Sequence, residues 1–317
     1  MHQPIPAIPK LLILTGPTGV GKTDLSLEIS QLFNCEIISS DSMQVYRHMD
    51  IGTAKATVDE RALVPHHLID IIDPDEDYDA ACYERDSLAA VKKIFEKGRV
   101  PLVTGGTGLY IQALCQGIFS DGLSFPELKK QLANRIATEG KEAIYQELCK
   151  VDPVSAERIH PNDTLRIIRG LEIFQGSGKR WSDHLKDQKK NEYTRFPERL
   201  EIGLTCERDR LYDRINRRTE MMFEAGFEKE VRDLLAQGYG EELKPMQSIG
   251  YRHMIQYIKG EWSRSQTLEL MARDTRRYAK RQYTWFNNRT SLKWFDVEDR
   301  TAVLKVIQNW CREQNIA

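Results

Sequence analysis

The eight residues Gly16-Pro17-Thr18-Gly19-Val20-Gly21-Lys22-Thr23 match the pattern Gly-x-x-x-x-Gly-Lys-(Ser/Thr) at every fixed position. No other feature of the chain restricts its fold so strongly. The apolar run Lys10–Thr15 before the loop reads as a buried strand, and Leu25, Leu27, Ile29, Leu32 and Phe33 give the segment after it helical spacing. Strand, glycine loop and helix is the context in which such a loop holds phosphate. The glycines let successive N–H groups converge on phosphate oxygens. The helix N-terminus adds partial positive charge, Lys22 adds a full one, and the Thr23 hydroxyl can hold Mg²⁺. The loop does not name the phosphate. An NTPase usually sets an acid at a neighbouring strand end to orient the metal. The run Val103-Thr104-Gly105-Gly106-Thr107 has none, so Asp41 is the acid best placed to face the loop. A diphosphate needs less than a triphosphate: the cradle, one lysine, one metal.

Further strands are expected at Glu36–Ser40, His66–Ile72 and Val100–Thr104, with a helix over Tyr78–Lys97 that stops at Gly98. Alternating strands and helices predict a parallel sheet covered on both faces, with ligands at the carboxyl ends of its strands. Three loops lie there: Gly16–Thr23, Asp41–Arg47 and Gly105–Tyr110. From Ser120 to Asn191 strand-like runs vanish and helices dominate. A strand at Leu200–Leu204 then returns, followed by helices at Arg208–Gln237, Gly250–Ile258, Ser265–Phe286 and Thr301–Cys311, with a short strand at Leu292–Phe295. The fold class is therefore α/β: a P-loop NTPase-like parallel-sheet core over residues 1–119 and 192–317 with a helical C-terminal part, and a helical insertion over residues 120–191.

Composition excludes little but usefully. Net charge is −1 over 317 residues, so the molecule as a whole is no polycation. No apolar run approaches the roughly 20 residues of a membrane helix, and the N-terminus lacks the charge and apolar pattern of a signal peptide, which predicts a cytoplasmic protein with no membrane partner. The six cysteines are scattered, which reads as reduced structural thiols. Charge is uneven. Asp70–Asp86 holds eight acids against Arg85, which reads as a solvated face, and Arg273–Arg289 holds six bases against Asp274. The basic stretch interleaves Tyr278, Tyr283, Trp285 and Phe286 on a helix. It either tracks RNA phosphates or buries its aromatics beneath a solvated basic face. Asp41 likewise has two readings, a helix N-cap or a ligand-facing carboxylate. His66 and His67 read as structural.

Taken together, the segments resemble the bacterial tRNA dimethylallyltransferases, also called tRNA isopentenyltransferases. Those that carry the resemblance are Gly16–Thr23, Asp41-Ser42-Met43-Gln44-Val45-Tyr46, Met49-Asp50-Ile51-Gly52-Thr53-Ala54-Lys55, Pro65-His66-His67-Leu68, Gly105-Gly106-Thr107-Gly108-Leu109-Tyr110, His160-Pro161-Asn162-Asp163, Gln247-Ser248-Ile249-Gly250-Tyr251-Arg252 and Thr275–Gln282. They follow the family's order along nearly the whole chain.

The resemblance implies transfer of a dimethylallyl group from dimethylallyl diphosphate to the exocyclic N6 amine of the adenine 3′-adjacent to the anticodon. The acceptors are tRNAs reading codons that start with U; Mg²⁺ is the cofactor and diphosphate leaves. It implies Asp41 as general base, Gly16–Thr23 and Arg218 as diphosphate ligands, and Thr107 against the tRNA. It assigns further tRNA contacts to Asp41, Ser42, Met43 and Gln44, to Leu165, Arg166, Ile167, Ile168 and Arg169, and to Gln247–Arg252. Lys129 stands where relatives often carry Arg. The insertion is expected to help clasp the anticodon stem-loop, and the protein to be a monomer. Gly19 replaces the usual Ala, and Asn287 stands where many relatives have Arg, which leaves a phosphate contact there in doubt. Three other readings share the loop: a small-molecule P-loop kinase, for which no arginine-bearing lid can be named; a nucleotide-gated RNA binder without group transfer; and a prenyltransferase of free AMP, which would not need so long a C-terminal half.

Overall fold

The computed structural model describes residues 10–117, 124–190 and 195–314. The chain divides into two compact units, Met1–Cys115 with Arg195–Ala317, and Gln116–Thr194.

The first unit is built on six strands: β1 (Lys10–Thr15), β2 (Cys35–Ser40), β3 (His66–His67), β4 (Val100–Gly105), β5 (Glu198–Thr205) and β6 (Lys293–Asp296). Their order is β3-β2-β4-β1-β5-β6, and every pairing is parallel. The continuous apolar run of β1 follows from this arrangement, because a parallel sheet covered by helices buries both faces. Leu11 and Ile13 point into one core with Ile38, Val103 and Tyr110, whereas Leu12 and Leu14 point into another with Ile37, Leu102 and Ile202.

Two expected elements differ. The strand foreseen over His66–Ile72 is interrupted: it joins the sheet at His66–His67 and returns only as a single bridge from Ile72 to Tyr46, because Leu68 and Asp70 turn to φ 62° and 56°. The Asp70 carboxylate is held there by Lys55 Nζ and Arg61 Nη1, each at 2.6 Å. The long helix foreseen over Arg208–Gln237 is two helices, Arg208–Glu224 and Phe227–Ala236, broken at Gly226 with φ 95°. A short helix at Val58–Leu63, closed by a Thr57–Glu60 capping box, was not foreseen.

Buried acids tie distant segments together. Glu201 of β5 accepts from Arg199 Nε at 2.5 Å, Arg289 Nη2 at 3.0 Å and Ser291 Oγ at 2.9 Å, with its side chain 1% exposed. Burial alone would push its carboxyl up, but Arg289 and Arg199 outweigh burial and hold it below the usual carboxylate range. Its contribution to stability is therefore present above the unfolded carboxyl value and lost as pH falls through the depressed native one. Glu201→Ala leaves two arginines facing an unpaired site and is expected to cost about 3–5 kcal/mol, read as a lowered denaturant midpoint at neutral pH.

The second unit packs helices Pro126–Glu139, Lys141–Val151, Pro153–Arg158, Thr164–Ser177 and Trp181–Lys190. Its own core includes Leu132, Ile144, Leu148, Ile167 and Leu171. Asp163 caps the Thr164–Ser177 helix by accepting from Arg166 N at 3.2 Å. Fully buried Asp152 accepts from Ser155 N at 3.0 Å and Ser182 N at 2.9 Å, which joins two helix starts through one carboxylate.

Candidate active site

The glycine loop leaves β1 at its carboxyl end and enters the Lys22–Leu32 helix through Gly21. Gly19 and Gly21 sit at φ 83° and 107°, a region that disfavours side chains, so the loop takes a curl that glycine adopts without strain. Lys22 Nζ donates to the carbonyls of Gly16 at 3.0 Å and Pro17 at 2.8 Å, folded back over its own loop. Burial lowers its pKa to about 7; Asp41 opposes this and Arg218 adds to it. Burial also lowers the Arg218 guanidinium from its usual value, with Asp41 again opposing.

Asp41 follows β2 at the same edge. It caps no helix: its Oδ1 accepts from Met43 N at 2.9 Å within a turn. Its charge reaches Lys22, Arg218 and Tyr278. Burial, then Asp41, pushes the Tyr278 phenol up to about 12.

The third loop locks onto the other two. Thr107 N donates to Ser40 O at 3.0 Å and Thr107 Oγ1 accepts from Ser42 N at 3.2 Å, which fixes it beside Asp41. The buried amide of Gln282, from the Arg264–Asn287 helix, accepts from Thr18 N at 2.8 Å and donates to Gly106 O at 2.9 Å. A Cβ on Gly106 would lie 2.1 Å from that amide nitrogen, so a larger residue there would displace the Gln282 amide from its two bonds.

Two cavities meet at this edge and share Thr18, Asp41, Thr53 and Arg218 in their walls. The first, about 510 Å³, is basic: Lys22, Arg214, Arg217 and Arg218 face it, with Thr23 at its rim. The second, about 320 Å³, carries Met43, Ile215, Met222, Met271 and Tyr278 in its wall beside the polar Gln247, Ser248, Arg252 and Arg281. Asp41 stands at the junction.

Thr23 suits a Mg²⁺ ion that takes most of its ligands from phosphate and water, as that ion commonly does. Among the described residues no group of three or more His, Cys, Asp or Glu could hold a metal by itself.

Of the residues picked from the sequence, the structure gathers Thr18, Gly19, Gly21, Lys22, Thr23, Asp41, Ser42, Met43, Gln44 and Arg218 around these cavities, together with Gln247, Ser248, Ile249, Tyr251 and Arg252. Thr107 adjoins them through Ser42. Gly250 takes φ 99° at the start of the next helix, and its N–H donates to His253 Nδ1 at 3.3 Å. Tyr251 is fully buried and donates to Glu230 Oε1 at 2.6 Å, so its hydroxyl is already engaged. Glu230 also accepts from the backbone N–H groups of Asp50, Ile51 and Gly52, which holds the segment that carries Thr53. Lys129 and Leu165–Arg169 belong to the helical unit. Lys129, Leu165 and Arg166 are exposed there, and Arg169 pairs with Glu172. Ile167 and Ile168 are buried in that unit's core, so their side chains face inward and are not available as RNA contacts.

Sequence reasoning passed over Arg214, Arg217 and Met221, although with Arg218 they repeat at helical spacing on the face turned to the basic cavity. It also took Gln282 only as part of a motif. Its signal was position: with Thr275 and Tyr278 it forms one face of the helix.

Two family models match the chain, IPP transferase over residues 44–289 and isopentenyl transferase over residues 9–69. A tRNA dimethylallyltransferase of Desulfotalea psychrophila is 50% identical over 304 residues, 96% of each chain. One from Syntrophobacter fumaroxidans is 48% identical over 290 residues, 91% of this chain and 84% of the relative. Among solved structures, the tRNA isopentenylpyrophosphate transferase of Bacillus halodurans superposes with a TM-score of 0.71 at 38% identity, covering 96% of this chain and 98% of the other. A eukaryotic dimethylallyltransferase solved acting on tRNA gives 0.78 at 31% identity, covering 91% and 74%.

Proposed function

This chain belongs to the IPP transferase family, the tRNA dimethylallyltransferases, and on that premise we propose that it moves a dimethylallyl group from dimethylallyl diphosphate to the N6 amine of the adenine 3′-adjacent to the anticodon, in tRNAs reading codons that begin with U. The observation that carries the reading is the position of Asp41, where the basic cavity meets the one walled by Met43, Met222, Met271 and Tyr278.

The amine nitrogen bonds to the allylic carbon, the carbon–oxygen bond to diphosphate breaks, and Asp41 takes the amine proton. An adenine amine is a weak nucleophile because its lone pair is delocalised into the ring, so proton removal during attack helps it. Charge builds on the leaving diphosphate. Arg218 faces it, Lys22 would turn to it from the Gly16 and Pro17 carbonyls, and loop N–H groups other than those of Thr18 and Val20 would donate to it; electrostatic stabilisation of this kind is often the largest catalytic contribution. Mg²⁺ bound through Thr23 would neutralise part of the same charge. The adenine leaves its stack to reach Asp41, with Met43 and Tyr278 as walls for it or for the prenyl chain. Ser42, Gln44, Thr107, Gln247, Ser248, Ile249 and Arg252 supply candidate tRNA contacts on the first unit, and Lys129, Leu165 and Arg166 do so on the helical unit. Among the described residues no helix is long and apolar enough to cross a membrane; we take the protein to act in the cytoplasm as a monomer.

The direct test mixes protein, Mg²⁺, radiolabelled dimethylallyl diphosphate and a tRNA whose anticodon ends in A. Label in the RNA supports the reading. No label in RNA, with ATP consumed on a small acceptor, replaces it with a kinase.

Lys22 adds a prediction about pH. With a pKa of about 7 in the free protein, it is largely neutral at pH 8. A bound diphosphate favours the charged form and raises that pKa. Diphosphate binding should therefore take up approaching one proton at pH 8 and far less at pH 6, so affinity weakens as pH rises through 7. Calorimetry in buffers of different ionisation enthalpy reads the uptake. Lys22→Arg should abolish it, because arginine stays charged throughout.

A further inference from the structure

Asp274 is the one acid within the basic stretch Arg273–Arg289, and it is no solvated charge. Its side chain is 15% exposed, and Arg252, His253, Arg273 and Arg277 all turn to it. Oδ2 accepts from Arg252 Nη2 at 2.7 Å and from His253 Nε2 at 3.2 Å, and Oδ1 accepts from Arg273 Nε at 3.1 Å. Burial would push this carboxyl up, but the bonds from Arg252 and Arg273 outweigh burial and hold it below the usual carboxylate range. His253 is buried beside Trp262, with ring centres 5.9 Å apart. Gly250 N donates to its Nδ1 at 3.3 Å. That nitrogen must therefore be bare, so the ring proton sits on Nε2 and is donated to Asp274. Burial lowers the His253 pKa and so favours this neutral form, with Arg252 adding to the effect and Asp274 opposing it. The Gly250 turn held this way, at φ 99°, ends the run Gln247–Ile249 and starts the helix Tyr251–Ile258. Gln247, Ser248, Ile249 and Arg252 line the same cavity as Asp41.

We infer that Asp274 and His253 are positioning residues for the acceptor: Asp274 aims Arg252 at the cavity beside Asp41, and His253, held in one tautomer by Asp274, pins the Gly250 turn that sets Gln247, Ser248 and Ile249 along its wall. Neither residue touches the RNA. Aiming matters for Arg252 because its side chain is long and 43% exposed. A free guanidinium would lose its rotamer freedom on meeting the acceptor, whereas one already fixed by a carboxylate has less left to lose. Asp274 takes only part of its donor set, since a guanidinium carries five N–H groups, and the rest stay open to a ligand. The turn gains in the same way, because the imidazole satisfies a buried backbone N–H that no helix partner reaches. The inference rests on tRNA being the acceptor.

The test is steady-state transfer to tRNA by the full chain, with melting measured alongside. Wild type is compared with Asp274→Ala, His253→Leu, His253→Gln, Arg252→Ala and the double variant Arg252→Ala, Asp274→Ala. Asp274→Ala and His253→Leu should each raise the tRNA KM about tenfold, the scale of one hydrogen bond to a charged group. Their kcat and donor KM should stay within about twofold of wild type, which separates acceptor positioning from a general loss of structure. His253→Gln should keep the wild-type KM, because its amide oxygen can accept from Gly250 N while its NH₂ donates to Asp274. In the Arg252→Ala background, Asp274→Ala should add less than about threefold, since residues that act through one another are not additive. A wild-type tRNA KM in Asp274→Ala would overturn the inference while wild-type labelling still upheld the acceptor. So would fully multiplicative losses in the double variant, or a glutamine variant as impaired as the leucine one. A fall in kcat together with a raised donor KM would also overturn it, as the mark of a distorted fold. Failure of wild type to label tRNA would remove both readings.

Discussion

Asp41→Asn is expected to lower kcat by about 10²–10⁴-fold, the usual worth of a positioned general base, while tRNA affinity stays within about threefold. Asparagine is chosen because of the turn. Asp41 Oδ1 accepts from Met43 N at 2.9 Å, and an amide oxygen can accept the same bond, so the loop geometry survives while the proton acceptor is lost. Alanine would remove both and confuse them. Single-turnover transfer with both substrates saturating isolates the chemical step. A variant that turns over near the wild-type rate would return Asp41 to the purely structural reading, a carboxylate that closes a turn.

Arg218→Ala is the second large effect. Its guanidinium faces both cavities and is desolvated there, so it meets the leaving diphosphate where water screens little. Loss of one preorganised donor of this kind typically costs about 10²–10³-fold, or ~2.7–4 kcal/mol, in kcat. Arg218→Lys should recover only part of it, since an ammonium is a point charge and cannot form the two parallel bonds of a guanidinium. If the alanine variant changes only the donor KM, Arg218 binds the diphosphate equally before and during departure and does not favour the transition state. Arg214 and Arg217 line the same basic cavity, and their presence sets a ceiling on the loss.

The reach of the sequence followed the physics of each signal. The glycine loop was legible because its pattern, strand and helix are all local, and β1, β2 and β4 were legible because a sheet buried on both faces leaves short unbroken apolar runs. The strand over His66–Ile72 was overestimated because tertiary ion pairs at Asp70 hold a backbone turn that the apolar residues around it do not announce. Arg218 came from resemblance, whereas Arg214 and Arg217 on the same face looked like any solvated basic helix until the sheet edge was set beside them. Ile167 and Ile168 show the reverse error. A contiguous motif was carried over whole, although helical periodicity turns its middle residues inward. Gln282 was hardest of all. Its two bonds reach Thr18 and Gly106, in loops far away along the chain, and no local pattern marks an amide that serves as a clamp.

The strand order also bears on how the protein is made. β1 is a central strand, but one of its two neighbours is β5, and Lys10 pairs with Glu198, about 190 residues downstream. At roughly 5–20 residues per second, the nascent chain carries an open edge on its most apolar strand for on the order of 10–40 s before its partner emerges. The helical unit, inserted between β4 and β5, lengthens that interval, and it has a core of its own to close while the sheet waits. Open strand edges template aggregation. Newly made protein should therefore depend on chaperone cover far more than the finished molecule does, and truncation anywhere before β5 should leave a phosphate loop that is fully encoded but insoluble.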